Sequence, residues 1–381
     1  MARPRVVHLI NSLGRGGAER LLCDLHGHWD RVDETVIALL DSTDSVGPGA
    51  DGDLPEHWTA LGLRHPFNPL GWRRLERELA RLEIHVLHTH LMLADVLGRR
   101  HAQRHPSIRT VTTLHSPAEH YLGAPHSRPG LLQRLYARVA RSTPGAWVGV
   151  SEQVAESFRS HPRWHAPVRV IENGVHLPRA AAHADGGKAL RSDLCVPTGG
   201  VVLATVARLV PSKGHEVLLE ALARIDLPGI VSCWAGDGPL RRPLERRARE
   251  LGLSERVHFV GTLADVGPLL AAADVFVLPS LREGLPLALL EALASARPVI
   301  TTHASGIGGR INAAEAGVVV EPGDPVALAD AIVRLAGSRD LRERMGRGAA
   351  ALAEAHFSAR RCASDYQDLY EELLAGDPAM H

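Results

Sequence analysis

The chain has 381 residues, which is too many for one ordinary domain and predicts two domains. Hydrophobic residues make up 45% of it, enough for each domain to be globular and to bury a core. No apolar run reaches the roughly 18 residues of a membrane-spanning helix, so the sequence predicts a chain that does not cross a bilayer. With 43 basic and 43 acidic residues, it also lacks the positive charge expected of a nucleic-acid binder.

The cysteines favour a reducing compartment. All four lie far apart in the chain, which excludes a C-x-x-C metal or redox pair and gives no disulfide framework. We therefore expect a cytoplasmic protein.

Short β-rich runs alternate with helical stretches from end to end, a pattern typical of βαβ units with parallel sheets. In the first half the candidate strands are Val6–Asn11, Glu34–Leu40, Val86–His90, Arg109–Leu114, Ala146–Val150 and Val168–Glu172. In the second half they are Val201–Ala207, Ile230–Ala235, Val257–Val260, Val275–Leu278, Val299–Thr302 and Gly317–Val320. The count predicts an α/β fold with two doubly wound, Rossmann-like domains, residues 1–180 and 181–360.

The segments between and after these domains have their own signals. Ala180–Gly187 is rich in alanine, histidine and glycine without a strand pattern, so it is predicted to be a linker. Ser358–Leu374 reads as a helix, and we expect residues 361–381 to form a helix and tail that pack on the N-terminal domain.

A glycine-rich loop follows the first strand. Gly16 and Gly17 stand where a helix opens, as in a phosphate loop, but the sequence lacks both the Gly-Lys-Ser/Thr ending and the third glycine of G-x-G-x-x-G. Two interpretations stay open: a ligand close to the backbone of Gly16 and Gly17, or a plain tight turn.

Histidines mark the ends of two further strands. His88 and His90 alternate at strand spacing, which puts both imidazoles on one sheet face, and we expect no metal because no further ligand is evident. His115 follows the strand Arg109–Leu114 and could donate a hydrogen bond to a sugar or phosphate, or be structural.

The segment from Arg128 to Arg141 has the pattern of a basic amphipathic helix, with arginines punctuating apolar residues. Such a helix can lie on an anionic membrane surface. The alternative is a domain helix with a solvated face.

Cations follow the first strand of the second half. Arg208 and Lys213 lie on a Gly/Pro/Ser loop before the helix His215–Ala223, suited to clamping a diphosphate, with surface exposure as the alternative. Lys213 is one of only two lysines in the chain. The turn around Gly236 also follows a strand and allows close approach to a ligand, although it is a generic turn signal.

The strongest signal comes directly after the strand Val275–Leu278. Glu283 lies on a loop, Glu291 lies inside the following helix, and Gly284, Leu285, Pro286 and Leu287 form the turn between them. Backbone N–H groups of this turn would face a phosphate, with the helix dipole behind them. One carboxylate could then reach a sugar and the other a ribose. The alternative is an acid near the helix start with a solvated glutamate after it.

Together these stretches resemble the family-four glycosyltransferases of the GT-B fold, from about Ile10 to Tyr370. The matching pieces are Gly16-Gly17-Ala18-Glu19, His88-Thr89-His90, Thr113-Leu114-His115, Val150-Ser151, Ile171-Glu172-Asn173-Gly174-Val175, Arg208 with Lys213, Gly236-Asp237-Gly238-Pro239, and Glu283 with Glu291, with seven residues between the two glutamates. The resemblance implies two domains facing each other across a cleft, the first binding the acceptor and the second a UDP- or GDP-sugar.

The resemblance also assigns roles. It makes Glu291 the ribose ligand, Arg208 and Lys213 the diphosphate clamp, and Glu283 the group oriented to the transferred sugar. The first domain would supply His115 near the reacting sugar and Gly16–Gly17 near donor phosphate or acceptor. The resemblance further implies that the sugar is transferred with retention of its anomeric configuration and without a metal or other cofactor. The acceptor would be a sugar, a lipid-linked group or a small molecule, in polysaccharide or glycolipid synthesis at the inner membrane surface.

One departure separates this chain from the family pattern. Members usually show Gly-Gly-x-x-Glu after the strand Val299–Thr302, whereas Ser305–Arg310 here has glycine or arginine in place of the acid. Two alternatives stay open: a nucleotide-sugar epimerase of the same architecture, and a non-catalytic sugar-nucleotide binder, which only this missing acid favours. The first lacks distinctive extra carboxylates, and the second is opposed by Glu283, Arg208 and Lys213.

Overall fold

Two α/β units make up the chain. The computed structural model of the protein describes residues 3–14, 16–40, 57–63, 69–143, 145–177 and 183–376. The first unit comprises Met1–Gly174 with Ala359–His381, and the second comprises Val175–Ser358. Each contains a wholly parallel sheet, which confirms the predicted α/β class. The chain passes between units after 174 and after 358, whereas the sequence suggested 180 and 360.

In the first unit, seven strands pair among the described residues. They are β1 (Arg5–Ile10), β2 (Asp33–Ala38), β3 (Trp58–Ala60), β4 (Val86–His90), β5 (Arg109–Leu114), β6 (Ala146–Gly149) and β7 (Arg169–Val170). Their order is β3-β2-β1-β4-β5-β6-β7, so the direction of winding reverses between β1 and β4. The sequence missed β3, because a three-residue edge strand carries no periodicity. It also overestimated β7, which has two residues.

Both faces of this sheet are covered. Val7 and Leu9 of β1 belong to one buried cluster, whereas Ile10 belongs to another with Val36 and Ala38. Successive strand side chains point to opposite faces, so a strand buried on both sides reads as a continuous apolar run. The helices of the unit are α1 (Gly17–Leu25), α2 (Pro69–Arg81), α3 (Met92–Ala102), α4 (Ala118–Leu122), α5 (Leu131–Ser142) and α6 (Glu152–Arg159), joined by the last helix of the chain.

In the second unit, six strands pair among the described residues. They are β8 (Val201–Val206), β9 (Ile230–Ala235), β10 (Val257–Gly261), β11 (Val275–Leu278), β12 (Val299–Thr302) and β13 (Gly317–Val320). Their order is β10-β9-β8-β11-β12-β13, so winding reverses between β8 and β11. The helices are α7 (Ala184–Asp193), α8 (His215–Ala223), α9 (Arg241–Glu250), α10 (Gly267–Ala272), α11 (Leu287–Ala294), α12 (Gly308–Ala313), α13 (Pro325–Ala336) and α14 (Arg339–His356).

The predicted linker Ala180–Gly187 is wrong in its second part. Residues 180–182 lie outside the described residues, but α7 begins at Ala184 and contains Gly187. A Cβ on Gly187 would lie 2.9 Å from backbone atoms of Ala271 and Ala272, so glycine lets α7 pack closely on α10. The small residues here serve helix packing.

The C-terminal helix α15 (Ala359–Ala375) belongs to the first unit. The hydroxyl of Tyr370 lies 2.6 Å from His88 Nδ1, and that of Tyr366 lies 2.8 Å from Thr113 Oγ1. Arg31 donates a hydrogen bond of 2.7 Å to the Asp368 carboxylate. Both tyrosines are fully buried, and their polar ends are satisfied, as burial requires. The helix therefore completes the core over β4 and β5.

None of the described helices is both long and apolar enough to cross a membrane. The longest of them, α14, has 18 residues and carries Arg342, Arg344 and Arg347.

We expect Tyr370→Phe to lower the free energy of unfolding by about 1–3 kcal/mol, since it leaves His88 Nδ1 buried without its partner. Tyr366→Phe is the matched control and should cost less, because Thr113 keeps its hydrogen bond to His88. Urea denaturation of the three proteins measures the difference. Equal stabilities for wild type and Tyr370→Phe would contradict this account of α15.

Candidate functional site

The second unit brings two loops together where its strand order reverses. The loop after β8 contains Arg208 and Lys213, and the loop after the neighbouring strand β11 contains Glu283. In open α/β sheets, ligands bind beyond the carboxyl ends of the strands at this reversal point. Both motifs singled out in the sequence therefore lie at the place where this architecture binds ligands.

An ion pair joins the two loops. Lys213 Nζ lies 2.6 Å from both carboxylate oxygens of Glu283, and Ser280 donates a hydrogen bond of 2.7 Å to one of them. The Glu283 side chain is 7% exposed and the Lys213 side chain 22%. Charge-assisted hydrogen bonds of this kind are about twice as strong as neutral ones. The pair fixes the positions of the cation and the acid relative to each other.

Backbone contacts hold the same two loops. The N–H of Leu281 donates to the Ser212 carbonyl over 2.8 Å. Gly214 adopts φ 68°, and a Cβ there would lie 2.0 Å from the Pro279 carbonyl oxygen. Only glycine fits this left-handed position so close to a neighbouring backbone. It ends the short 3₁₀ turn Pro211–Lys213 that places the ammonium group against the β11 loop.

Arg208 stands exposed on the loop that carries Lys213, and its guanidinium makes no hydrogen bond or ion pair to other described residues. Its backbone is nevertheless fixed, because Leu209 donates to the Asp237 carbonyl over 2.9 Å. Gly236 adopts φ 132°, and a Cβ there would meet the Ala207 carbonyl oxygen. The Gly236 turn thus supports the Arg208 loop from the β9 side, and the guanidinium is available to an anion.

His215 follows this loop and carries no charge near neutral pH. Burial, with a contribution from the Lys213 charge, lowers the pKa of His215 to about 4. Its ring packs against Trp234 at a centroid distance of 5.2 Å. This histidine therefore behaves as a core residue, and the positive charge of the loop comes from Arg208 and Lys213.

The turn into α11 carries the remaining predicted residues. Gly284, Leu285 and Leu287 are buried, and Pro286 is the extended residue directly before the helix. Glu291 is half-buried within α11. The two glutamates thus occupy different settings, Glu283 on the loop in the ion pair and Glu291 on the helix.

In the first unit, Gly16 and Gly17 lie at the start of α1, beyond the carboxyl end of β1. A Cβ on Gly16 would collide with the Glu19 carboxylate, which also accepts a hydrogen bond of 3.0 Å from Ser12. Around Gly17 there is open space. Because a carboxylate already lies against this helix start, the position suits a hydroxyl better than a phosphate.

His115 ends a series of three imidazoles. Its Nε2 lies 3.2 Å from His90 Nδ1, and His90 Nε2 lies 3.1 Å from His8 Nδ1. Burial lowers the pKa of His8 and of His115 to about 4, and it holds the pKa of His90 well below its ordinary value. All three rings are therefore neutral at physiological pH. Sequence reasoning did not single out His8, although it stands on β1 beside the predicted His88.

The imidazoles of His8, His88 and His90 lie close enough together to resemble a metal site, with candidate ligand atoms within 4.8 Å of one another. His88, however, uses both ring nitrogens in hydrogen bonds of 2.6 and 2.7 Å to the hydroxyls of Tyr370 and Thr113. No carboxylate belongs to the group. Hydrogen bonding accounts for this cluster without a metal ion.

Two family descriptions match the chain, one for each half. "Glycosyltransferase Family 4" matches residues 15–179, and "Glycosyl transferases group 1" matches residues 188–351. The two matches together leave only short segments uncovered.

Curated relatives carry glycosyltransferase names. The chain is 34% identical over 230 residues to the lipopolysaccharide core biosynthesis glycosyltransferase LpsE of Rhizobium meliloti, a match covering 60% of this chain and 63% of LpsE. It is 29% identical over 311 residues to the D-inositol 3-phosphate glycosyltransferase of Corynebacterium jeikeium, covering 78% and 73%. The match thus spans somewhat under two thirds of the length of LpsE.

Solved structures share the fold over nearly the whole chain. Anabaena HepE in complex with UDP and glucose superposes with a TM-score of 0.81 at 22% identity, covering 96% of this chain and 99% of HepE. WaaG, a glycosyltransferase involved in lipopolysaccharide biosynthesis, gives a TM-score of 0.74 at 19% identity, covering 97% and 100%.

A double-mutant cycle tests the ion pair. We expect Lys213→Ala to lower the free energy of unfolding by about 1–3 kcal/mol, because Glu283 stays buried with Ser280 as its remaining partner. Adding Glu283→Gln should recover part of that loss, giving a coupling of about 1 kcal/mol or more. The exposed pair Arg339–Glu343 is the control and should show no measurable coupling. Additive losses at Lys213 and Glu283 would rule out the pair as a structural link.

Two glycines at left-handed positions test the loop contact. Gly252 adopts φ 70° in open space, so Gly252→Ala should cost about 1–2 kcal/mol for the backbone conformation alone. Gly214→Ala adds a collision with Pro279 and should cost distinctly more. Thermal denaturation compares the two variants. If they lose equal stability, the close approach of the two loops is not essential.

Proposed function

Because this chain belongs to the family-four glycosyltransferases of the GT-B fold, we propose that it transfers a sugar from a nucleotide diphosphate sugar to an acceptor hydroxyl. The observation that carries the proposal is the Lys213–Glu283 pair at the strand reversal of the second unit, with Arg208 exposed on the same loop. Two cations there can balance the charge of a diphosphate as it leaves.

The donor is held by the second unit. Arg208 and Lys213 bind the diphosphate, Glu291 binds the ribose hydroxyls, and Glu283 is oriented to the transferred sugar. Backbone groups from Gly284 to Leu287 face the phosphate at the start of α11, and Gly236 allows the nucleotide to approach. HepE was solved with UDP and glucose, which favours a UDP-sugar here, with a GDP-sugar as the alternative.

The first unit supplies the acceptor side. His115 lies near the reacting sugar, and Gly16 and Gly17 bind an acceptor hydroxyl beside the Glu19 carboxylate. A sugar, a lipid-linked group or a small molecule provides that hydroxyl. LpsE and WaaG are named for lipopolysaccharide synthesis, which favours a role in the synthesis of an envelope glycoconjugate.

The reaction retains the anomeric configuration and needs no metal or other cofactor. The bond from the acceptor oxygen to the anomeric carbon forms as the bond from that carbon to the phosphate oxygen breaks. The acceptor proton passes to a donor phosphate oxygen on the same face. No carboxylate acts as a covalent nucleophile, because Glu283 is engaged by Lys213 and Ser280.

The missing acid after β12 bears on sugar preference. Gly308 begins α12, and Arg310 is exposed, with its guanidinium 5.8 Å from the Phe357 ring centroid. Carboxylate recognition of the sugar from this loop is therefore lost, which supports a donor sugar different from that of acid-bearing members. The same loss is the one feature that favours a non-catalytic binder.

Ligand-induced stabilisation tests the donor assignment. At 100 times its dissociation constant, the correct nucleotide sugar should stabilise the protein by about 2.7 kcal/mol. Arg208→Ala should abolish most of this gain, whereas Arg339→Ala, at an exposed position, should retain it. A thermal-shift screen of UDP- and GDP-sugars, with and without EDTA, provides the measurement.

Two outcomes of the screen, and one of product analysis after incubation with the stabilising nucleotide sugar, would change the proposal. No stabilisation by any nucleotide sugar would exclude it, and a loss of stabilisation in EDTA would exclude the metal-free mechanism. Interconversion of the bound sugar without transfer would identify an epimerase.

Peripheral binding to the inner membrane surface is proposed for α5. Leu131 at its start is 69% exposed, and Arg134, Arg138 and Arg141 line a groove of about 470 Å³ together with Arg163. An exposed apolar residue beside clustered arginines is typical of helices that lie on anionic lipid. The protein would then work at the cytoplasmic face.

Flotation with anionic liposomes tests this surface. We expect binding at low salt that weakens at high salt, and Arg134→Glu with Arg138→Glu should abolish it. Arg246→Glu with Arg249→Glu on α9 is the matched control, since it removes the same charge from a helix of the second unit. Failure of the wild-type protein to float at low salt would remove the membrane proposal.

A further inference from the structure

The series of three imidazoles, His8, His90 and His115, crosses the strand reversal of the first unit. His8 on β1 contacts His90 on β4 over 3.1 Å, and His90 contacts His115, directly after β5, over 3.2 Å. These strands are neighbours in the sheet. The half-buried residue His115 is thus linked through His90 to His8 in the core, which is fully buried.

Because all three imidazoles are neutral, the ring protons of this series have only two possible arrangements. A neutral ring has one nitrogen that donates and one that accepts. Each of the two contacts needs one donor and one acceptor, so fixing the proton on any ring fixes it on the other two. In one arrangement His115 presents an N–H at its outer nitrogen, Nδ1, and in the other it presents a lone pair there.

The surroundings of His8, the buried end of the imidazole series, favour one of the two arrangements. His8 Nε2 and the indole nitrogen of Trp29 are both buried without a hydrogen-bond partner among the described residues. The centroids of the two rings lie 5.4 Å apart. An indole N–H can only donate. A proton on His8 Nε2 would therefore place a second unsatisfied donor near the first, which is costly. A bare Nε2 instead places an acceptor near an unsatisfied donor.

We propose that the surroundings of His8 fix the proton positions of all three imidazoles. His8 and His90 thereby hold His115 as a hydrogen-bond donor through its Nδ1–H group. His8 Nδ1–H then donates to His90 Nε2, and His90 Nδ1–H donates to His115 Nε2. Nδ1 of His115 makes no hydrogen bond within the described part of the chain, so its proton is available to a ligand. His8 and His90 are positioning residues.

The ligand follows from the proposed function, on which this part of the inference rests. An N–H donor suits an oxygen of the donor sugar or phosphate and cannot take a proton from the acceptor hydroxyl. In the proposed reaction the acceptor proton goes to the donor phosphate oxygen as the bond to the anomeric carbon breaks. His115 orients the donor and does not act as a base.

Nuclear magnetic resonance of protein with ¹⁵N-labelled histidine tests the polarity without substrate. The signals of His115 are those lost in His115→Gln. We expect Nδ1 of His115 to be protonated and Nε2 to be bare at neutral pH. A proton on Nε2, or on both nitrogens, would overturn the inference.

Two substitutions of His8 form a matched pair. His8→Asn keeps an N–H donor near the position of Nδ1 and should preserve the His115 tautomer, whereas His8→Phe keeps a ring without a donor and should mix the two tautomers. The mixed tautomer should lower kcat by about two- to ten-fold with little change in the acceptor KM. Identical His115 signals in His8→Phe and wild type would show that His8 does not set the polarity.

The readouts separate this inference from the proposed function. If His115 carries its proton on Nδ1 but no nucleotide sugar is bound or transferred, the proposed function fails and the polarity stands. If transfer occurs while Nε2 carries the proton, the function stands and the inference fails.

Discussion

The ion pair between Lys213 and Glu283 is the contact on which the candidate site depends. It closes the gap between two loops that are 70 residues apart in the chain but adjacent at the strand reversal of the second unit. The pair is largely withdrawn from solvent, so its hydrogen bonds are stronger than those of an exposed pair. A nearby Ser280 hydroxyl and the tight turn at Gly214 leave the acid and the cation little freedom. A candidate site built this way has its acid and cation in position before a ligand binds.

The first unit uses buried polar groups in a comparable manner. Its sheet carries histidines on the strands that flank the reversal point, and α15 covers them with two tyrosine hydroxyls. Burying His88 is costly unless both of its ring nitrogens have partners, and α15 supplies one of them through Tyr370. Leu91, directly after β4, adopts φ 72°, a conformation that is costly for a residue with a side chain. Strain of this kind clusters at functional sites, in agreement with the position of His90 beside it.

Much of the fold was readable in the sequence because buried parallel strands leave short runs rich in apolar and β-branched residues. β4, β5, β9, β11, β12 and β13 have the bounds that the sequence predicts. The turns after β8 and β11 were also found, since glycine, proline and charged residues stand out after such runs. Edge strand β3 was missed, and residues 184–187 were interpreted as linker, because short elements and glycine-rich packing surfaces carry no periodicity.

The contacts within the site were less accessible to sequence reasoning. The Lys213–Glu283 pair depends on β8 and β11 being neighbours, which follows from the strand order and not from either motif. His8 gave no signal by itself, and its role appears only once β1 and β4 are paired in register. The Glu19 carboxylate lies against Gly16 and accepts a hydrogen bond from Ser12, which the glycine pattern alone does not indicate. Each of these contacts depends on the tertiary structure, which no single sequence motif specifies.

A crystal structure of the protein with bound UDP tests the central claim most directly. Our account predicts the diphosphate at the carboxyl edge of the second unit's sheet, with a phosphate oxygen within hydrogen-bonding distance of Arg208 and Lys213 and the ribose against Glu291. A nucleotide bound elsewhere, with the Arg208 and Lys213 side chains out of reach of its phosphates, would contradict it.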